Sequence, residues 1–134
     1  AFGIAVTELT AIGRDEWPPI TMIVFRNYQW GAEKRNSTLW YEDNFIGTEL
    51  DDKVSFAGIA QACGLKGLQT RTMGELTTAL HNAINDQMYN NTTTLIEALI
   101  NQELGEPFRR DAMKAPVVVA GISAGDMRPQ TVLL

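Results

Sequence analysis

Two rhythms of apolar residues run along this chain. Phe2, Val6, Leu9 and Ile12, with Ala5 and Leu9 as an alternative pair, recur at three- and four-residue spacing. That spacing predicts an amphipathic helix over the first dozen residues, ending near Gly13. Trp17-Pro18-Pro19 breaks the pattern, and residues 20–25 then run apolar except for Thr21. A short, β-branched run behind prolines predicts a strand buried on both faces, as parallel sheets require. Residues 26–50 lose all periodicity and turn polar and aromatic, so a long irregular segment is expected there, of the kind that carries function.

Regular patterning returns with Phe56, Ile59, Ala60 and Cys63 on one face of a helix over residues 54–63, capped by Asp51-Asp52 and stopped by Gly64. Residues 68–72 read as a strand. Thr72 and Glu75 then have the spacing of a capping box, which opens a helix to Tyr89 with Leu76, Leu80, Ala83, Ile84 and Met88 inward. Asn90 and Asn91 end it. A strand follows over residues 93–100, and residues 117–120 form a further candidate. Residues 102–116 are charged and irregular, and residues 125–134 read as a tail. Strands joined by helices imply an α/β fold, a three-layer α/β/α arrangement around a mostly parallel sheet.

Composition narrows the picture a little. The 134 residues carry 11 Lys plus Arg against 16 Asp plus Glu, a net charge of -5, with no basic stripe to meet nucleic acid. No apolar run has membrane-spanning length. The single cysteine, Cys63, excludes an internal disulfide and suits a reducing compartment, so a cytoplasmic location is expected.

Candidate chemistry gathers at Asn27. Ligands of open parallel sheets bind beyond the carboxyl ends of the strands, where Asn27 is expected to emerge. An amide oxygen there, with a backbone carbonyl two residues on, is a hard-oxygen set suited to magnesium. Taken alone, an asparagine after a strand is more often a turn residue. Asn27-Tyr28-Gln29-Trp30-Gly31, behind an apolar strand and the Glu8-Leu9-Thr10-Ala11 helix, resembles the second half of the thiamine-diphosphate motif, which starts with Gly-Asp-Gly and ends at an asparagine.

The resemblance to the thiamine-diphosphate-dependent enzyme superfamily covers residues 1–104 and implies a cofactor-binding domain there, with residues 105–134 as an extension and tail. It implies Asn27 and Gln29 as metal ligands, through a side-chain and a backbone oxygen. It also implies that Ala1 and Phe2, at the helix start, aim amides at the diphosphate. The cofactors would be thiamine diphosphate and Mg2+. The Gly-Asp-Gly aspartate is absent, so the expectation is a truncated piece of a longer enzyme, inactive alone and prone to self-association. The family's cofactor-activating glutamate belongs to an amino-terminal domain of a partner subunit, which implies a homo-oligomer.

Residues 26–36, Leu39-Trp40-Tyr41, residues 45–50 and residues 107–114 resemble, more narrowly, the sulfoacetaldehyde acetyltransferase family. That likeness implies conversion of sulfoacetaldehyde and phosphate into acetyl phosphate and sulfite. An acetolactate-synthase-like carboligase and a non-catalytic flavodoxin-like binding module are the alternatives. Arg109 and Arg110 are candidates for an oxyanion contact, although paired arginines are more often surface groups. Trp30, Trp40 and Tyr41 could line a site mouth or simply pack a long loop. Glu8, His81 and Cys63 read as structural or solvated residues.

Overall fold

The computed structural model describes residues 2–102. Ala1, the candidate strand at residues 117–120, the charged segment with Arg109 and Arg110, and the tail all lie outside the described residues. The chain divides into two compact units, Ala1–Tyr28 with Asp51–Asn101 and Gln29–Leu50 with Gln102–Leu134.

The first unit is built on three strands, β1 (Thr21–Arg26), β2 (Lys66–Thr70) and β3 (Thr94–Leu99), in the spatial order β1-β3-β2. Both pairings are parallel, with Ile23 and Leu68 each opposite Ile96. β3 is central and buried along its length from Thr94 to Ala98. Its alternating side chains face two different cores. Leu95 meets Leu9, Val24, Ala60 and Leu65, whereas Ile96 meets Ala79 and Ala83. Two apolar clusters on opposite faces of one sheet make three layers, as the sequence predicts. Burial of Leu95 and Ile96 stabilises the sheet by roughly 1.5–3 kcal/mol each.

The layer on the Leu95 face comprises an opening 3₁₀ helix, η1 (Phe2–Glu8), running into the short α1 (Leu9–Ile12), together with α3 (Phe56–Ala62). Phe2, Val6, Leu9 and Ile12 do turn toward the core. The winding differs from expectation, since most of this first helix has the tighter 3₁₀ turn. α3 is capped by Ser55, whose hydroxyl accepts the Gly58 amide at 3.1 Å. The expected Asp51-Asp52 cap is not used; the Asp51 carboxylate instead accepts the Lys53 amide in a local turn. Gly64, at φ 84°, supplies the left-handed residue that ends the helix.

α4 (Met73–Tyr89) forms the other layer with the expected bounds. The Thr72 hydroxyl accepts the Glu75 amide at 3.2 Å. The Glu75 carboxylate reaches the Arg71 amide at 2.6 Å, one residue earlier than a regular capping box. The inward stripe is Leu76, Ala79, Leu80 and Ala83. Ile84 and Met88, expected inside, are exposed because they lie off that stripe.

β1 also departs from expectation. Val24 and Arg26 are buried, but Phe25 is 64% exposed, so this edge strand buries one face only. β2 begins at Lys66, two residues before the predicted start, because Lys66 and Gly67 already pair with β3. Gly67 is required there, since a Cβ would lie 2.1 Å from the Ala57 carbonyl oxygen of α3.

In the second unit, α2 (Gly31–Trp40) overturns the expected irregular segment. Its sequence is polar around most of its circumference, which leaves no apolar period to detect. Gln29 and Glu49 form an isolated antiparallel bridge, and the Trp30 amide donates to the Thr48 carbonyl at 2.7 Å. Lys34 pairs with Glu49, and its ammonium lies 5.1 Å from the Phe45 ring centroid.

Candidate functional site

Asn27 follows the last residue of β1, at the carboxyl end of a parallel sheet. Its place is fixed from both sides. Before it, the Arg26 carbonyl accepts the Ile100 amide at 2.9 Å, extending the pairing with β3 to the strand's end. After it, Tyr28 takes φ 56°, a left-handed conformation that costs a non-glycine residue about 1–3 kcal/mol.

Beneath this turn lies a group of charged and polar side chains that sequence reading missed. Arg26 is 6% exposed and Glu97, in the middle of β3, is fully buried; they pair at 3.0 Å. A second guanidinium nitrogen of Arg26 donates to the Asp51 carbonyl at 2.9 Å. The guanidinium carbon stands 4.6 Å from the Tyr28 ring centroid and 4.7 Å from that of Phe56, so the cation lies against two aromatic rings. Glu97 also accepts the Ser55 hydroxyl at 2.9 Å, the Ala57 amide at 3.1 Å and the Gln69 amide at 3.4 Å.

Removal from water pushes the Glu97 carboxyl pKa up. The amides of Ala57 and Phe56, with Ser55 and Gln69, outweigh that effect and leave it below the ordinary glutamate value. A signal for both residues was present in the sequence. Glu97 interrupts an otherwise apolar strand in Leu95-Ile96-Glu97-Ala98-Leu99, and Arg26 ends one; charges at such positions are expensive unless paired.

The start of the first helix lies at this same end of the sheet. Phe2 packs edge-to-face on Phe56 with ring centroids 5.1 Å apart, and Phe56 in turn lies against Arg26, the neighbour of Asn27. Phe2 and Asn27, two of the predicted site residues, are thus linked through one aromatic ring and one guanidinium. Ala1 lies outside the described residues. Gln29 belongs to the second unit, where it is buried and its side-chain amide donates to the Gln102 carbonyl at 2.9 Å.

Among the described residues, no group of three or more His, Cys, Asp and Glu could hold a metal ion. The amide oxygen of Asn27 suits Mg2+ by its hardness, but it needs further oxygen ligands, such as a diphosphate and a carboxylate. An open polar groove of about 200 Å³ lies at the opposite, amino end of the strands, lined in part by Arg14, Asp15, Lys66 and Thr93. It is on the wrong side of the sheet for the usual ligand position.

Glu8 is exposed. His81 is exposed on α4, 3.3 Å from the Asn85 amide, and Cys63 is half-buried at the end of α3. Tyr41 is half-exposed and Trp30 partly buried in the second unit, and the side chain of Trp40 lies outside the described residues. No helix among the described residues is long and apolar enough to cross a membrane.

Comparison with known proteins adds the following. The family described as "Thiamine pyrophosphate enzyme, C-terminal TPP binding domain" matches residues 1–98. The chain is 77% identical to sulfoacetaldehyde acetyltransferase of Rhodobacter capsulatus over 97% of its own length and 22% of that protein's. The protein of the same name from Roseovarius nubinhibens is 75% identical over 98% of this chain, and a probable sulfoacetaldehyde acetyltransferase of Rhizobium meliloti is 62% identical over 97%. The chain spans 22% of the length of each of these relatives. The fold also matches a crystal structure of benzoylformate decarboxylase from Polynucleobacter necessarius, with a TM-score of 0.66 at 24% identity over 78% of this chain and 18% of that one.

Proposed function

Because this chain belongs to the C-terminal cofactor-binding domain family of thiamine pyrophosphate enzymes, we propose that it supplies the diphosphate- and magnesium-binding part of a sulfoacetaldehyde acetyltransferase. The observation that carries this reading is identity of 62–77% to proteins bearing that name, over 97–98% of the chain. The reaction converts sulfoacetaldehyde and phosphate into acetyl phosphate and sulfite. Thiamine diphosphate, when bound, supplies the carbon nucleophile that attacks the aldehyde.

The residues of this chain hold and orient. The Asn27 side-chain oxygen would hold Mg2+, which would supply the positive charge that the diphosphate needs. The Gln29 carbonyl enters as a second ligand through the sequence motif alone. By the likeness to the family's motif, Ala1 and Phe2 would supply amides to the diphosphate. The family's third oxygen ligand, the aspartate of a Gly-Asp-Gly segment, is not among these 134 residues, of which residues 1–104 are read as the cofactor-binding part. The enzyme works as a homo-oligomer, because the activating glutamate of the family comes from a partner subunit, and in the cytoplasm, because its single thiol suits a reducing compartment.

The test is sulfite release by the full-length enzyme from sulfoacetaldehyde and phosphate, with thiamine diphosphate and Mg2+ added. Sulfite and acetyl phosphate in equal amounts are expected, with loss of turnover on chelation. Formation of acetolactate from pyruvate without sulfite release would instead favour a carboligase.

A further inference from the structure

The buried pair below Asn27 has a cost that its contacts do not fully offset. Arg26 places two nitrogens on Glu97 and Asp51, but its Nε is buried without a partner among the described residues. A buried ion pair with an unsatisfied donor is a poor source of stability, because desolvation of the charges consumes the Coulombic gain. Its geometric effect is much stronger. Glu97 is held by the central strand, the cap of α3 and Gln69 of β2, so it is a fixed point. Arg26 is attached to that point and lies against the face of Tyr28, the residue in the left-handed conformation. Asn27 is the residue between them. Its two chain neighbours are therefore joined through the cation and ring, and Phe56 also lies against the cation.

We propose that Arg26, held by Glu97 and stacked on Tyr28, is a positioning residue that sets the orientation of the Asn27 amide toward the cofactor's metal. The proposal rests on the reading of Asn27 as a metal ligand. Arg26 itself touches neither the metal nor the substrate. It fixes the turn so that the amide oxygen is pre-aimed, and the entropy of ordering that turn is not paid at each binding event. Partners of this kind, one shell away from a ligand, typically govern affinity by 10- to 100-fold.

The experiment uses the full-length enzyme at saturating thiamine diphosphate, titrated with Mg2+ in a calorimeter, with melting temperature recorded beside each affinity. Arg26→Lys retains the charge and loses the planar fork and its stacking. It is expected to weaken Mg2+ binding by about 10- to 100-fold, and high Mg2+ should restore the bound state. Tyr28→Phe keeps the ring and should bind as the parent does, whereas Tyr28→Leu removes the stack and should weaken binding by about tenfold.

Wild-type Mg2+ affinity in Arg26→Lys, beside a lowered melting temperature, would reduce the pair to a structural role and overturn the proposal. Should Arg26→Lys fail to fold, the Tyr28 variants decide: equal affinities in Phe and Leu forms overturn it, and a defect confined to Leu supports it. Asn27→Ala separates the two levels. If it binds Mg2+ normally, the ligand reading itself fails; if it binds poorly while Arg26→Lys binds normally, only the positioning role fails.

Discussion

Two ion pairs tie strands to their surroundings at opposite ends of the same sheet. At the amino end, Lys66 of β2 meets Asp86 of α4, with the two side chains 38% and 22% exposed. At the carboxyl end, Arg26 of β1 meets Glu97 of β3 at 6% and 0% exposure. The Lys66 pair can exchange its contact for water at little loss. The Arg26 pair cannot, since either charge left alone would be buried. Among the ion pairs of the described residues, the one at the end where Asn27 emerges is the one with both partners buried. The contrast marks that end of the sheet as the more tightly held one.

Removing one partner from each pair should widen this contrast most. Glu97→Ala strands the Arg26 charge, and it also deprives Ser55 and the Ala57 amide of their acceptor. A loss of about 3–5 kcal/mol is expected, read as a lower denaturation midpoint for the transition that reports on this segment. Lys66→Ala should leave that midpoint within the scatter of repeat melts.

A steric change at neither pair comes next. Gly67→Ala drives a methyl group into the Ala57 carbonyl oxygen, and displacement of α3 should cost about 1–3 kcal/mol. Thr72→Ala takes the acceptor from the Glu75 amide and should cost about 1 kcal/mol, with Thr72→Ser close to the parent.

Acid distinguishes the pairs by a subtler effect. Glu97 and Asp86 both have folded-state pKa values below their ordinary ones, Asp86 through hydrogen bonds from Lys66 and Asn90. Each therefore adds stability above its unfolded pKa, near 4.3 for glutamate and about 3.9 for aspartate, and that stability is lost as pH falls through the folded value. At about 1 M salt the contribution of the partly exposed Asp86 should be screened away, whereas the Glu97 contribution should persist. Denaturation midpoints from pH 6 to pH 3, at low and high salt, in the parent and Glu97→Gln, would show this: Glu97→Gln should flatten the salt-resistant part alone.

Much of the fold was legible because apolar spacing records burial. α4 was found with its bounds, since Leu76, Leu80 and Ala83 recur at helical spacing behind Thr72 and Glu75. The parallel order of strands followed from the helices between them. α2 was invisible for the same reason in reverse: its polar sequence records no buried face. Phe25 misled because apolarity in a strand shows that burial is possible, while its place at an edge of the described sheet leaves it 64% exposed. At the candidate site, Asn27 stood out through its likeness to the asparagine that closes the family's motif. Arg26 and Glu97 did not, because Arg26 was read as the start of an irregular segment and Glu97 as part of a strand, and only the register that sets β1 beside β3 brings them to 3.0 Å.

The most direct measurement is a crystal structure of the full-length enzyme with thiamine diphosphate and Mg2+ bound. The account predicts the Asn27 side-chain oxygen about 2.0–2.1 Å from the metal, with the Arg26 and Glu97 pair intact beneath it. A metal held elsewhere, with the Asn27 amide turned away from the diphosphate, would contradict it.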